Sequence, residues 1–194
     1  MKKKKIYIDA DYLLFASTED KMSTGSMFGA EEDGLNDTSY DRPLKPYKKK
    51  FKRLIRELVD DIAGNLVGEV SGKYKLLFSD PNGNFRYDIN PDYKGNRKAS
   101  SRSKVFYRLR GWAIKKYGYT KGLEADDLCG YYAKKGIVAS FDKDILKGVA
   151  GVFFDVYHTR RHIVKTSVED AKRFNLIQAI AGDPTDNIKG IPRV

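Results

Sequence analysis

The sequence predicts an α/β fold: a twisted, largely parallel central sheet with helices on both faces. Three observations carry that prediction. Four short β-rich runs, KKIYID, LLFSD, GIVAS and VFFDVY, are spread along the chain. Segments with apolar residues at helical spacing separate them, and such alternation builds parallel sheets covered on both sides. Acids stand at the ends of the runs: Asp9, Asp80 and, just after GIVAS, Asp142. Ligands in these sheets lie beyond the carboxyl ends of the strands, so the acids fall where a site is expected.

In chain order, KKIYID is the first strand. The stretch from Ser17 to Pro46, rich in Ser, Gly, Asp and Glu, reads as an irregular insertion. From Tyr47 to Asn65, Phe51, Leu54, Ile55, Leu58 and Ile62 recur at helical spacing, with Lys and Arg on the other face. LLFSD (Leu76 to Asp80) is the next strand. Residues 81–104 are polar and end strongly basic, a composition that suits a nucleic-acid contact better than a linker. Val105, Leu109, Trp112 and Ala113 mark a helix from Ser103 to Tyr117, and GLEADDLCGYYAKKG supplies a shorter one closed by Gly136. GIVAS and VFFDVY complete the sheet. Trp112 and Cys129 read as core residues. Residues 1–194 read as a single domain.

Composition narrows the function. The formal net charge is +11 and the hydrophobic content 41%, enough for a packed core and against disorder of the whole chain. So basic a chain points to a polyanionic partner, with nucleic acid ahead of anionic membrane. The single Cys129 excludes an internal disulfide and a cysteine-built zinc site, and His158 and His162 are too few for a histidine-rich centre. Lys2 to Lys5 and the apolar residues after them imitate a signal peptide, but Asp9 and Asp11 interrupt the run. No stretch approaches a membrane span. A soluble, cytoplasmic chain is expected.

Against that basic background the carboxylates gather in short clusters: Asp9/Asp11, Asp80, Glu124/Asp126/Asp127, Asp142/Asp144 and Asp183/Asp186. Crowded carboxylates repel and raise one another's pKa, so a cluster is tolerable when a cation neutralises it. Hard divalent ions take oxygen ligands, and a pair held ~3.5–4 Å apart serves phosphodiester hydrolysis. Each motif also has a plainer reading. The acids of GLEADD can cap a helix, FDKD can be a surface turn, and GDPTDN a proline turn with Asp183 and Asp186 on one face.

The ordered set IDAD, FSD, PDYKGNRK, GLEADD, FDKD, TRR and GDPTDNIKGIP resembles the 5′-nuclease family. That family comprises phage 5′-3′ exonucleases, the 5′-nuclease domain of bacterial DNA polymerase I and the flap endonucleases, all with a PIN-like α/β fold. The resemblance runs from Asp9 to Pro192. It implies a first metal site of Asp9, Asp80, Glu124 and Asp126, with Asp127 nearby as a shared or outer ligand. A second site would be served by Asp142, Asp144, Asp183 and Asp186. Two or more Mg²⁺ or Mn²⁺ ions are implied, and Asp126 is placed among the catalytic residues. Asp11 departs from the family pattern; it reads either as an added ligand or as a cap of the following turn, with the cap favoured. In a helix Lys94, Arg97 and Lys98 share a face and can meet one phosphate. The resemblance gives Lys94 and Arg97 the charge developing on the scissile phosphate, and lets Tyr93 stack on a terminal base. Arg160 and Arg161, after Thr159, would position the DNA backbone.

Two departures shape the expected substrate. Only ASSRSK separates Lys98 from the helix that contains Phe106, so the helical arch of the family is expected to be absent or reduced to a loop. An open groove would admit 5′ ends, flaps and nicked or gapped duplex. The sequence stops at GIPRV, where the family begins a helix-hairpin-helix element. Duplex binding is then expected to be weak and salt-sensitive unless a replication protein supplies the contact. The expected activity is divalent-metal-dependent 5′-3′ exonuclease or flap endonuclease action on DNA, extending to RNA in RNA–DNA hybrids, in replication or repair within a bacterial or phage-infected cell. Two alternatives stay open, a PIN-like single-strand endoribonuclease and a non-cleaving, structure-selective DNA-binding accessory.

Overall fold

In the computed structural model of the chain, residues 3–18, 43–95, 102–157 and 161–192 are described. The elements are β1 (Lys4–Asp9), α1 (Ala10–Thr18), α2 (Leu44–Asn65), β2 (Val70–Leu77), α3 (Arg86–Ile89), α4 (Lys104–Tyr117), α5 (Ala125–Tyr132), β3 (Gly136–Ser140), α6 (Lys143–Gly148), β4 (Gly151–Asp155), β5 (His162–Thr166), α7 (Val168–Ala181) and the two-residue strands β6 (Gly182–Asp183) and β7 (Ile188–Lys189). The main sheet has the order β2-β1-β3-β4-β5. Its first four strands are parallel and β5 returns antiparallel to β4.

Alternation along the strands sorts the core into two layers. Ile6, Ile8, Ile137, Ala139 and Phe154 face α1, α2 and α4, packing with Leu14, Phe51, Ile55, Ile62 and Leu109. Tyr7, Val138 and Phe153 face the other way, against Leu128 and Cys129 of α5 and Ile145 and Leu146 of α6. Helices thus cover both faces, as the sequence predicted. The order reverses beside β1, since the chain goes from β1 to β2 on one side and crosses back to β3 on the other. In sheets of this kind ligands bind at such a switch point, which here is the carboxyl ends of β1 and β3.

Several elements differ from the sequence reading. The second strand begins at Val70 rather than near Leu76, and Phe78 to Asp80 follow it. As an edge strand it leaves Ser71 to Lys75 exposed, so half of it carries no apolar signal. The expected insertion narrows, because Ser17 and Thr18 finish α1 and Leu44 to Pro46 begin α2; residues 19–42 lie outside the described residues. Pro46 is harmless in that first turn, where no intrahelical N–H is needed.

Gly136 opens β3 instead of closing α5, which ends at Tyr132. A Cβ there would stand 2.2 Å from the Lys5 carbonyl oxygen and 2.8 Å from the Tyr7 ring. The oxygen is backbone and cannot step aside without parting β1 from β3. Gly136→Ala is therefore expected to cost about 3 kcal/mol and to lower the melting temperature by roughly 6–12 °C; an unchanged thermal melt would contradict this packing.

Candidate metal centre and phosphate-binding loop

The carboxyl end of β1 places Asp9 inside the protein, 6% exposed. Its Oδ2 accepts from the Ser140 hydroxyl at the end of β3 (3.3 Å), and its Oδ1 from the Asp11 N–H (3.2 Å). Asp142 caps α6 by accepting the Asp144 N–H at 2.7 Å, while its own N–H donates to Ser140 at 3.2 Å. Asp126 enters from the first turn of α5. Asp11 accepts the Ser79 N–H on Oδ2 at 3.2 Å, and its Oδ1 is buried with no hydrogen-bond partner among the described residues. The cap reading of Asp11 is corrected here: Asp9 takes the first-turn N–H, and Asp11 reaches across to the end of β2.

These four acids feel one another. Burial, then the charges of Asp126 and Asp11, raise the Asp9 carboxyl well above its ordinary value. Burial, then Asp142 and Glu124, push Asp126 up to about 7, with Lys94 opposing. Among the described residues no three acids stand in ligating geometry as they are. Mutual repulsion works against a tighter gathering. An acceptor without a donor among the described residues, in a partly buried set of hard oxygen donors, fits a hard divalent cation, and Asp9, Asp11, Asp126 and Asp142 are the residues that would hold it.

Glu124, just before α5, is neutralised by protein groups instead. Its Oε1 accepts from Lys94 Nζ and Asn84 Nδ2, each at 2.8 Å, and its Oε2 from the Tyr93 hydroxyl at 3.0 Å. Arg86 stands 3.6 Å away. Asp127 is bound by the Arg86 guanidinium, Nη2 to Oδ1 at 2.6 Å and Nη1 to Oδ2 at 2.9 Å, and Oδ2 also accepts the Glu124 N–H at 2.9 Å. Burial alone would raise the Asp127 carboxyl, but the Arg86 fork, the Glu124 N–H and the Arg86 and Lys94 charges together outweigh it and hold it low. Asp80 is half-exposed and spends both oxygens on loop N–H groups, Gly122 at 2.7 Å and Asn82 at 2.8 Å, which hold its carboxyl low. The expected partition into two metal sites therefore differs from the arrangement: Asp142 joins Asp9 and Asp126, while Asp80 and Asp127 face other partners.

The remaining acids sit on the α6 and α7 side. Asp144 accepts from Gln178 Nε2 at 2.7 Å; burial and then Asp142 raise its carboxyl, and Asp183 adds to this. Asp183 accepts the Thr185 N–H at 2.9 Å and starts the 3-10 turn Pro184–Asp186. Gly182, at φ 78°, and Gly190 press together, for a Cβ on Gly182 would meet the Gly190 nitrogen at 2.2 Å. That close approach fixes the GDPTDN loop.

The basic loop is docked on the acidic ones. Residues 91–95 form turns rather than the helix expected of YKGNRK, with Lys94 in the left-handed region at φ 58°. The strain is offset locally, as the Lys94 N–H donates to the Asp186 carbonyl (3.1 Å) and Nζ to Glu124. The Tyr93 hydroxyl lies within hydrogen-bond distance of Glu124 and of Asp186 Oδ2 (3.1 Å), and Asn187 Nδ2 donates to the Asp92 carbonyl at 3.1 Å. At 5% exposure, edge-on to Tyr87, Tyr93 offers no ring face to a base. Its expected stacking role is replaced by bridging. Arg161 pairs with Asp61 of α2. Arg97, Lys98 and Arg160 lie outside the described residues.

Motif reading passed over Arg86, Asn84, Ser79 and Ser140. Ser79 donates its N–H to Asp11, its hydroxyl takes the Ala125 N–H at 2.9 Å and its carbonyl takes Arg110 Nη2 at 2.9 Å, fastening the start of α5 to the end of β2. A lone Arg six residues after an Asp carries no periodic signal. Only the fold brings Arg86 to Asp127.

No protein-family model matches the chain. The exodeoxyribonuclease of Enterobacteria phage T3 is 31% identical over 140 residues, covering 63% of this chain and 44% of the relative. A 5′-3′ exonuclease of Buchnera aphidicola subsp. Schizaphis graminum is 27% identical over 144 residues, covering 64% of this chain and 50% of its own. The matched part spans about half the length of these curated relatives. Among solved structures, the T5 D15 protein co-crystallised with metal ions has a TM-score of 0.63 at 20% identity, covering 98% of this chain and 70% of that one. The fold is shared with that protein, and the sequence is similar to those of 5′-3′ exonucleases.

Proposed function

We propose that this chain, a relative of the 5′-3′ exonucleases with the PIN-like fold, hydrolyses phosphodiester bonds of DNA at 5′ ends or flaps. The observation that carries the reading is the acid set at the switch point, Asp9, Asp11, Asp126 and Asp142, with its unpartnered buried oxygen. Mg²⁺ or Mn²⁺ bound there would supply activation of water and neutralisation of phosphate charge.

The chain's own residues supply the rest. Asp9, Asp11, Asp126 and Asp142 hold the cations, with Asp144, Asp183 and Asp186 extending the acidic rim. Ser140 orients Asp9 through its hydroxyl. Lys94, paired with Glu124 at 2.8 Å, stands at the edge of the acids where a phosphate would arrive and can exchange a carboxylate for a phosphate oxygen. Asn187 and Tyr93 keep that loop against the GDPTDN turn. The net charge of +11 draws the polyanion in. Action in the cytoplasm of a bacterial or phage-infected cell, on nicked, gapped or flapped duplex and on RNA–DNA hybrids, completes the proposal.

The test is a 5′-flap duplex labelled separately at each end, set beside a circular single strand and an RNA of the same sequence. Short 5′-labelled products with the circle intact are expected. Cutting of the RNA alone would favour a single-strand endoribonuclease, and tight flap binding without turnover a binding accessory.

A further inference from the structure

We infer that Arg86 is a positioning residue for this cleavage and that Asp127 is its anchor rather than a metal ligand; the inference rests on the nuclease reading of the site. Two elements, α3 and α5, meet at the Arg86 guanidinium. It opens α3, forks onto both oxygens of Asp127 in the first turn of α5, and lies 3.6 Å from Glu124 Oε2. Its cation also stands over the rings of Phe85 (4.8 Å) and Tyr93 (5.8 Å).

Both oxygens of Asp127 are engaged by protein donors. Oδ1 takes one guanidinium nitrogen, and Oδ2 takes the other together with the Glu124 N–H. That bidentate pair, among the strongest charge-assisted contacts in proteins, orients the carboxylate on Arg86, and a cation would have to share it with the guanidinium. Asp126, its neighbour on the helix, interacts electrostatically with Asp142 and Asp9 instead. The motif's adjacent acids thus divide their work, one toward the cation and one toward Arg86. Through Asp127 and its own approach to Glu124, Arg86 fixes the start of α5, and Glu124 in turn receives Lys94 and Tyr93. Arg86 therefore sets where Lys94 meets the phosphate while touching neither phosphate nor cation.

The experiment is a double-mutant cycle on the whole chain, Arg86→Gln, Asp127→Asn and both, with Arg86→Lys as the conservative variant. Each is read by flap cleavage at saturating Mg²⁺, by calorimetric Mn²⁺ binding and by thermal melting. Each single change is expected to lower kcat by about 10- to 100-fold with KM little changed. The double variant should be no worse than the worse single one, and Mn²⁺ affinity should fall equally in all three. Arg86→Lys should not rescue, since one ammonium cannot make the fork. Loss of Mn²⁺ affinity in Asp127→Asn alone, with additive effects on kcat, would make Asp127 a ligand and overturn the inference. Lower melting temperatures with kcat and Mn²⁺ affinity unchanged would also overturn it, leaving only a structural pair. If the unaltered chain cuts no flap, the nuclease reading fails instead, and the Mn²⁺ cycle still decides between anchor and ligand.

Discussion

Asp126→Asn is expected to lower flap cleavage by about 10³-fold or more while making the metal-free protein more stable at pH 8. Both effects come from one carboxylate. Asp126 lies within the charge field of Asp142, Glu124 and Asp11, and burial heads the causes that push it up to about 7 from an ordinary 3.8. An amide keeps the shape and removes the charge that a cation needs.

The sign of the stability effect follows from linkage. Between about pH 4 and pH 7 the folded chain keeps a proton on Asp126 that the unfolded chain has lost, so stability falls as pH rises through that window. Above pH 7 the penalty of holding the charge is fully present, and below pH 4 it is gone. Metal-free Asp126→Asn should therefore melt about 5–10 °C above the unaltered protein at pH 8 and together with it at pH 4. Saturating Mn²⁺ should close the gap at pH 8 by stabilising only the chain that retains the carboxylate. Equal melting of the two metal-free proteins at pH 8 would mean that Asp126 is not in a crowded acid set.

Lys94→Gln is expected to reduce kcat by about 10²-fold with a smaller change in KM, because the role assigned to Lys94 is to meet charge that develops during cleavage. Glutamine keeps a donor for Glu124 and most of the stem, so the docked loop should survive and the melting temperature should hardly move. The effect ought to be read in single-turnover rates at saturating enzyme, which separate chemistry from binding. A variant with full kcat and raised KM would reduce Lys94 to a surface contact for the DNA backbone.

The sheet was legible because its inner strands are apolar on both faces: GIVAS is buried throughout, and no other element accommodates such a run so briefly. The edge was not. β2 leaves Ser71 to Lys75 in solvent, and β5 has only exposed and half-buried residues with no strict alternation, so neither stands out from a loop. Of α7 only Ala171 is buried, too little to give a helical stripe.

The candidate site was legible as residue types and less so as partnerships. Asp9 and Asp142 could be placed from strand ends, since a strand end fixes where the next side chain stands. Asp80 also follows a strand, yet the turn after Phe78 aims its oxygens at Gly122 and Asn82. The left-handed backbone of Lys94 is likewise hidden from periodicity, because it depends on the Asp186 carbonyl some ninety residues later in the chain. Asp11 shows the same limit. Its place in the first turn of α1 suggested a cap, and the competing N–H of Ser79 at the end of β2 decided otherwise.

The most direct test of the account is cleavage of an end-labelled 5′-flap duplex by the unaltered chain and by Asp126→Asn, each with Mg²⁺, Mn²⁺ or EDTA. 5′ products are expected from the unaltered chain with either ion, none with EDTA and none from the variant under any condition. Cleavage that persists in EDTA, or in the variant at the full rate, would contradict it.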